Sequence, residues 1–489
     1  MKQMHSLRCT ALPLLAVASL ASAQLQSDCA NAQCTDQTST SGLWTVSTSK
    51  NVRSSVRVAQ AHLDSDLPES IMRAASSQQL ASELPLQEFS MGVTEYRASI
   101  DVGTPAQKFN VLFDTGSFTM WLYGATCTSP ACKGARDTYD VTKSRTGQSL
   151  NKPASQMYAD GSGYNGTLVT DAVNVGGYNV SNFQFTQVTQ YTSSSPSGVS
   201  PADDYQDGIV GMGFHPQVDG ATNTLMEQLV VNGNLPYQQF SWYITADESQ
   251  GFATFGGYDV TLFADKNGQP AWIPMITNDD LLAAGKLALP LTSASVDGQV
   301  VDSFNSHASP INGKLQGTTG AASWDTGTAS SIVTDTLVMA IGSAIPGSKK
   351  VQFSGSKDIS YIVPCSAKTE TGGPQVTLNF FGGGSVTITA LEYVEITTSG
   401  GGMTCFLALT GRPDGYRAGT YLIGNTFLKR YVNIFDFQKK WIGLTVALGR
   451  DATKGAAVQG SIKSINNGFS NRATNALLAG LVAIWWTIA

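Results

Sequence analysis

The stretch VLFDTGSFTMW, Val111 to Trp121, sends an apolar run that reads as a buried strand straight into an aspartate and a glycine. A buried, unpaired carboxylate is expensive and normally acquires a partner or a proton. The chain offers a partner 211 residues later, in AASWDTGTASSIV, where Asp325, Thr326, Gly327 and Thr328 repeat the chemistry of Asp114, Thr115, Gly116 and Ser117. Each copy is trailed by two apolar residues and a glycine: Ile209, Val210 and Gly211 in one half, Leu422, Ile423 and Gly424 in the other. The same order twice reads as an internal repeat.

Each position of the repeated motif has a physical use. Gly116 and Gly327 let the backbone turn tightly and bring amide N–H groups toward the carboxylates, and Thr115 and Thr326 offer hydroxyls for a buried, interlocking network. Ser117 and Thr328 are placed to donate to the outer carboxylate oxygens. Two carboxylates held together cannot both ionise cheaply, so they share a proton, one acting as base and the other as acid. That pair suffices to activate a water for peptide hydrolysis without a nucleophilic side chain, cofactor or metal. Other machinery is missing from the sequence: there are four His, no His-Glu-x-x-His, and the glycine-rich FFGGGSV carries no phosphate-binding Lys.

A chain of 489 residues with 42% hydrophobic and 13% charged residues, rich in Gly, has the composition of a globular, strand-rich protein of two or three packed domains. A formal net charge of −6 leaves no basic footprint for nucleic acid, which is excluded as a partner.

The ends carry targeting signals. MKQMHSLRCTALPLLAVASLASAQ has a basic start, an apolar run and Ala21-Ser22-Ala23, the pattern of a secretory signal peptide cleaved after Ala23. Its removal leaves six cysteines in an oxidising compartment, pairing by proximity as Cys29 with Cys34, Cys127 with Cys132, and Cys365 with Cys405. Six cysteines allow about 15 connectivities, and the sequence does not choose among them. The terminal run NALLAGLVAIWWTIA follows a polar, small-residue spacer. As a helix its last fourteen residues would span about 21 Å against a hydrocarbon core of roughly 30 Å. A short greasy tail of this kind fits a GPI-attachment signal, with the modified residue expected among Asn466, Asn467 and Gly468; a docked tail or a tilted short span are the alternatives.

Between these ends, residues 24–88 are Ser-, Gln- and Ala-rich and read as a removable pro-segment or flexible N-terminal region. From Gly92 the texture becomes short apolar runs separated by Gly, Asn, Asp and Ser, the pattern of an all-β domain. The division is a β lobe over 89–238 with the first aspartate, a second over 239–450 with the other, a Ser/Asn-rich linker over 451–475 and the tail 476–489. Residues 278–320 read as loose, and TNTLMEQLVVNG is the best helix candidate. Asn165-Gly166-Thr167 and Asn179-Val180-Ser181 are acceptor sequons for N-glycans.

The motifs DVGTPAQKFNVLFDTGSFTMW, MYADGSG, QDGIVGMG, SWDTGTASS and YLIGNTFLKRYVNIFDFQKKWIGL together resemble the pepsin-like aspartic proteases over about residues 90 to 450, and the two ends resemble the surface-anchored, yapsin-type members. The resemblance implies two β-barrel-like lobes around a cleft, with Asp114 and Asp325 as the catalytic pair. It implies that Tyr158 is the tyrosine of a substrate-covering flap, that Trp121 is its aromatic partner, and that Gly161 and Ile209 help line the site. It also implies that Asp160, just past the flap tyrosine, favours a basic side chain before the cut; Asp203, Asp204 and Asp207 thicken the acidic character, Asp207 itself reading as structural in DGIVG. Trp324 and Ala329 depart from the family's pattern, which has a smaller aliphatic residue and a serine there, and the N-terminal region lacks the family's basic character. The expected protein is a monomeric, secreted or surface-anchored aspartic endopeptidase acting on peptides or proteins at acid pH. Its rival is a catalytically silent binding or inhibitor protein on the same fold.

Overall fold

The structure, a computed structural model, describes residues 82–458 except for 91–93, 134–136, 159–160, 193–205, 215–223, 232–234, 277–284, 305–308, 312–313, 317–319, 354–355, 400–401, 417–418 and 456. The signal peptide, Cys29 and Cys34, the tail and its spacer, Asn466 to Gly468, Asp203, Asp204 and Asp160 lie outside the described residues.

The Asp114 strand, Gln107–Asp114, shows why the opening stretch is apolar. Its first half alternates, but Val111, Leu112, Phe113 and Asp114 are all buried. The strand is central, paired antiparallel with Thr94–Val102 on one edge and parallel with Gly208–Gly211 on the other, and the unbroken burial of its last four residues shows that both faces are covered there. Asp114 lies opposite Gly211, the glycine of the trailing apolar element. The second copy is built alike, Gly320–Trp324 running parallel to Thr420–Ile423 with Trp324 opposite Ile423. The internal repeat of the sequence is therefore a repeat of strand pairing.

The all-β, bilobal architecture holds. One sheet of 13 strands carries the first lobe and closes back on itself where Asp101 and Val102 meet Asn174 and Val173. A second, of 12 strands, carries the other lobe. Two sequence boundaries need correction. Ser82–Ser90 is already a strand, paired with Gln250–Phe255 and Thr94–Val102, so the folded region begins ahead of residue 89. The division after Gln238 is not a clean cut either, because Gln239–Ile244, Gln250–Phe255, Ala271–Pro274, Tyr431–Asp436 and Trp441–Val446 extend the first lobe's sheet as a platform. Chain from both ends of the second half is needed to build it, which a linear division cannot express.

The region read as loose, 278–320, contains Ala288–Val296, a strand central to the second sheet. It is covered on both faces, so small Ala and Ser residues fill it and the alternation that marks a half-exposed strand is missing. The helix expected in TNTLMEQLVVNG is present as Leu225–Val231. A longer one, Asp335–Ala344, was not anticipated. Thr334 caps it by accepting a hydrogen bond from the Leu337 N–H at 3.3 Å, and Leu337, Val338 and Ile341 form its buried stripe. Two of the three expected disulfides are formed, Cys127–Cys132 and Cys365–Cys405, with Cα separations of 5.9 and 5.1 Å. Among the described residues no helix is long and apolar enough to cross a membrane.

Candidate active site

Asp114 ends its strand and Asp325 immediately follows Gly320–Trp324, so the two parallel pairings deliver both carboxylates to one place. The adjoining backbone fixes each: the Met212 N–H donates to the Asp114 carbonyl at 2.7 Å, and the Asp325 N–H to the Ile423 carbonyl at 2.8 Å. The threonines then lock the two loops together across the repeat. The Thr115 hydroxyl donates to the Trp324 carbonyl at 2.7 Å and accepts from the Thr326 N–H at 2.9 Å. The Thr326 hydroxyl donates to the Phe113 carbonyl at 2.7 Å and accepts from the Thr115 N–H at 3.1 Å. Both side chains are buried and fully engaged, so the loops have little freedom to separate.

The carboxylates are held with the same symmetry. Asp114 accepts from the Gly116 N–H at 2.7 Å and from the Ser117 hydroxyl; Asp325 accepts from the Gly327 N–H at 2.9 Å and from the Thr328 hydroxyl at 3.0 Å. The glycines are required by close approach. A Cβ on Gly116 would fall under 3.0 Å from the Asp325 carboxylate, and one on Gly327 under 3.0 Å from that of Asp114. Each glycine thus makes room for the aspartate of the other lobe.

Burial and the neighbouring Asp114 carboxylate push Asp325 up to about 7, opposed by the positive charge of Lys286 and the Thr328 hydroxyl. An acid of that kind keeps its proton while an ordinary carboxylate has lost it, and the neighbouring Asp114 carboxylate is one of the causes. The arrangement can hold one shared proton and polarise a water between two oxygens.

Tyr158 is brought over the first loop by the hairpin of Gln148–Met157 and Gly163–Val175. The Trp121 Nε1–H donates to its hydroxyl at 2.7 Å. Trp121 itself sits in an aromatic cluster with Tyr123, Tyr164 and Tyr191, ring centroids 5.1 to 5.6 Å away, and Ile209 packs on the same cluster. Burial pushes the Tyr158 hydroxyl well above its ordinary range, so it stays neutral. Gly161 turns the hairpin with φ +86°, its N–H donating to the Tyr158 carbonyl at 3.1 Å.

Trp324, where the sequence departs from the family's pattern, is a core residue. It is fully buried, packs edge-on to Phe380 at 6.4 Å, and donates from Nε1 to the Asn433 side-chain oxygen at 2.8 Å. Asp207 is structural, accepting from the N–H groups of Asn110 at 2.7 Å and Asp137 at 3.1 Å. Asn165 and Asn179 are exposed. Sequence reasoning passed over Lys286, whose segment AAGKLALPL carries no motif; only strand pairing brings it to the aspartates.

Comparison with known proteins agrees with this geometry. Residues 95–447 match the family described as Eukaryotic aspartyl protease. The chain is 29% identical over 354 residues to cathepsin E-A of Xenopus laevis, covering 72% of this chain and 79% of that protein. It is 26% identical over 358 residues to pepsin-3 of Oryctolagus cuniculus, covering 72% and 81%, and 29% identical over 355 residues to the vacuolar aspartic protease of Candida albicans, covering 72% and 74%.

Proposed function

The chain belongs to the eukaryotic, pepsin-like aspartic proteases, and from that premise we propose that it is an endopeptidase in which water held between Asp114 and Asp325 attacks the scissile carbonyl. The ionised carboxylate takes the water's proton while the protonated one donates a hydrogen bond to the carbonyl oxygen; the leaving nitrogen is protonated as the C–N bond breaks. The observation that carries this reading is the pair itself, two buried aspartates brought together inside a symmetrical cradle, each packed against the glycine of the other's loop. The reaction needs the singly protonated pair. Because Asp325 is raised to about 7, that state is lost as pH rises through about 7, which supports an enzyme active on the acid side of neutrality.

The remaining properties rest on the sequence. Asp160 is proposed to favour a basic side chain before the cut, since a carboxylate at the cleft rim can pair with an ammonium or guanidinium. Secretion, removal of the N-terminal region, N-glycans on Asn165 and Asn179, GPI anchoring near Asn466 to Gly468, and a monomeric, yapsin-type enzyme at the cell surface complete the proposal. Ala329 is proposed to weaken substrate binding on its side, because it offers no hydroxyl.

Cleavage of a mixed peptide library from about pH 3 to 8, with and without pepstatin, tests this. The expected result is pepstatin-sensitive cutting in acid that fades above about pH 7, with basic residues over-represented before the cut. Absence of cutting by folded protein freed of residues 24–81 would instead support the silent binding protein. A second expectation concerns the flap. Trp121→Phe keeps most of the ring but removes the only donor it offers to Tyr158. Loss of one such hydrogen bond, worth about 0.5–1.5 kcal/mol, should lower kcat/KM by up to about tenfold. Steady-state kinetics on a single peptide would check this, measured where denaturant unfolding shows the variant folded, because trimming a buried indole also lowers stability.

A further inference from the structure

Lys286 stands at the entrance of Ala288–Val296, the strand that pairs with the one leading into Asp325. Ala288 lies opposite Ser323, and the Trp324 N–H donates to the Leu287 carbonyl at 2.8 Å, so the same register carries Lys286 opposite Asp325. Its ammonium donates to the carbonyl of Gly116, in the loop of the first aspartate. The preceding residue is anchored to the first lobe as well: the Phe214 N–H donates to the Gly285 carbonyl at 3.1 Å, and a Cβ on Gly213 would strike that carbonyl. A half-buried cation is therefore fixed between the two loops that carry the carboxylates.

The groups facing the pair can be named from every side. From the first lobe come Asp114, the Gly116 N–H and the Ser117 hydroxyl. From the second come Asp325, the Gly327 N–H and the Thr328 hydroxyl. The flap contributes Tyr158, neutral because burial raises it. Lys440 stands a layer farther out, over the Phe214 ring at 5.9 Å from its centroid. Among the described residues Lys286 is thus the cation built into the loops of the pair, and the groups beside it are neutral donors.

Resting on the two-carboxylate reading of the site, we propose that Lys286 is a positioning residue of the reaction, whose ammonium sets the pH range over which the aspartates keep their shared proton. A fixed cation favours ionised carboxylates, so the pair surrenders its proton at lower pH with Lys286 than without it. The charge of Lys286 does act on Asp325 in this direction, against the burial and the Asp114 charge that raise it. Both limbs of the pH profile are affected with the same sign, because the cation opposes the uptake of the first proton and of the second. Activity is thereby held toward acid and reduced near neutrality.

The test is the pH profile of kcat/KM for the wild-type protein, Lys286→Met, Lys286→Gln and Lys286→Arg. Both neutral variants should show both limbs displaced upward by about one pH unit, the order expected of a unit charge a few ångströms away. Lys286→Arg keeps the charge and should stay close to wild type. Limbs that do not move in the neutral variants would overturn the proposal, as would an equal displacement in the arginine variant, which would trace the effect to packing. Carboxyl titration by NMR of protein labelled at the aspartate side-chain carbons reads the same displacement without turnover. If the wild type cleaves nothing, the protease reading fails, while the titration still decides the role of Lys286.

Discussion

Asp325→Asn is expected to lower kcat by at least about 10³-fold, with Asp114→Asn doing the same and the double variant scarcely worse than either. A positioned acid or base contributes on the order of 10²–10⁴ in rate, and the amide can neither hold the shared proton nor accept one from water. The two carboxylates work as one unit, so their losses do not add. The substitution is nearly isosteric, and the asparagine oxygen can still accept from the Gly327 N–H that now holds Asp325 at 2.9 Å. Below about pH 7 the pair carries a shared proton, so replacing one acid by a neutral amide removes no ion pair on which the fold depends. Each variant should therefore unfold no more easily than the parent, which separates lost chemistry from lost structure. Single-peptide kinetics beside denaturant unfolding decides the matter. Residual activity within tenfold of the parent, in a folded single variant, would rule out a shared-proton mechanism.

The sequence displayed this site unusually well because its chemistry is local. Asp, Gly and Ser or Thr bond within their own turn, Thr and Gly meet their counterparts in the other copy, and the contiguous motif that does both occurs twice. Tyr158 and Trp121 were legible only through resemblance, since nothing in their spacing predicts the 2.7 Å bond between them. What stayed hidden was of two kinds. Ala288–Val296 is covered on both faces, and burial on both sides erases the period of two that reveals a strand. The position of Lys286 and the sheet's platform depend on pairings between residues far apart in the chain, such as Asn433 with Trp242, and no local pattern encodes such partners. Trp324 departs from the family's pattern, and only the structure shows how it is accommodated: a partner at Asn433 gives its indole N–H a place in the core.

The same long-range pairing assembles charges whose disruption should have the largest effect on stability. Glu248, in the turn between Gln239–Ile244 and Gln250–Phe255, meets Lys429 and Arg450 at 3.1 Å each and Lys368 at 3.6 Å. Lys429 also pairs with Glu395, and Arg450 reaches Glu392 at 3.3 Å. Arg430 joins through Glu392 at 2.9 Å and Glu370 at 3.3 Å. The cluster ties the platform's turn to helix Ala390–Tyr393 and strand Val394–Ser399 of the second sheet. Burial would raise Glu248, but Lys429, Lys368 and Arg450 outweigh it and hold the carboxyl at about 2, from an ordinary 4.5. A carboxyl depressed in the folded state stabilises fully above its unfolded value, and the contribution disappears as pH falls through the folded one. The clamp is thus complete above about pH 4.5 and fades toward pH 2, so much of it survives in the acid range proposed for activity. Glu248→Gln leaves Lys429, with a side chain only 1% exposed, short of one of its two carboxylates. Breaking a buried pair from one side typically costs about 3–5 kcal/mol, and the depression of Glu248 corresponds to about 3 kcal/mol by linkage. Denaturant unfolding of parent and variant should differ by that amount at pH 6 and converge as pH approaches 2. A difference that stays constant from pH 6 to 2 would show that Glu248 acts through packing and hydrogen bonding rather than through its charge.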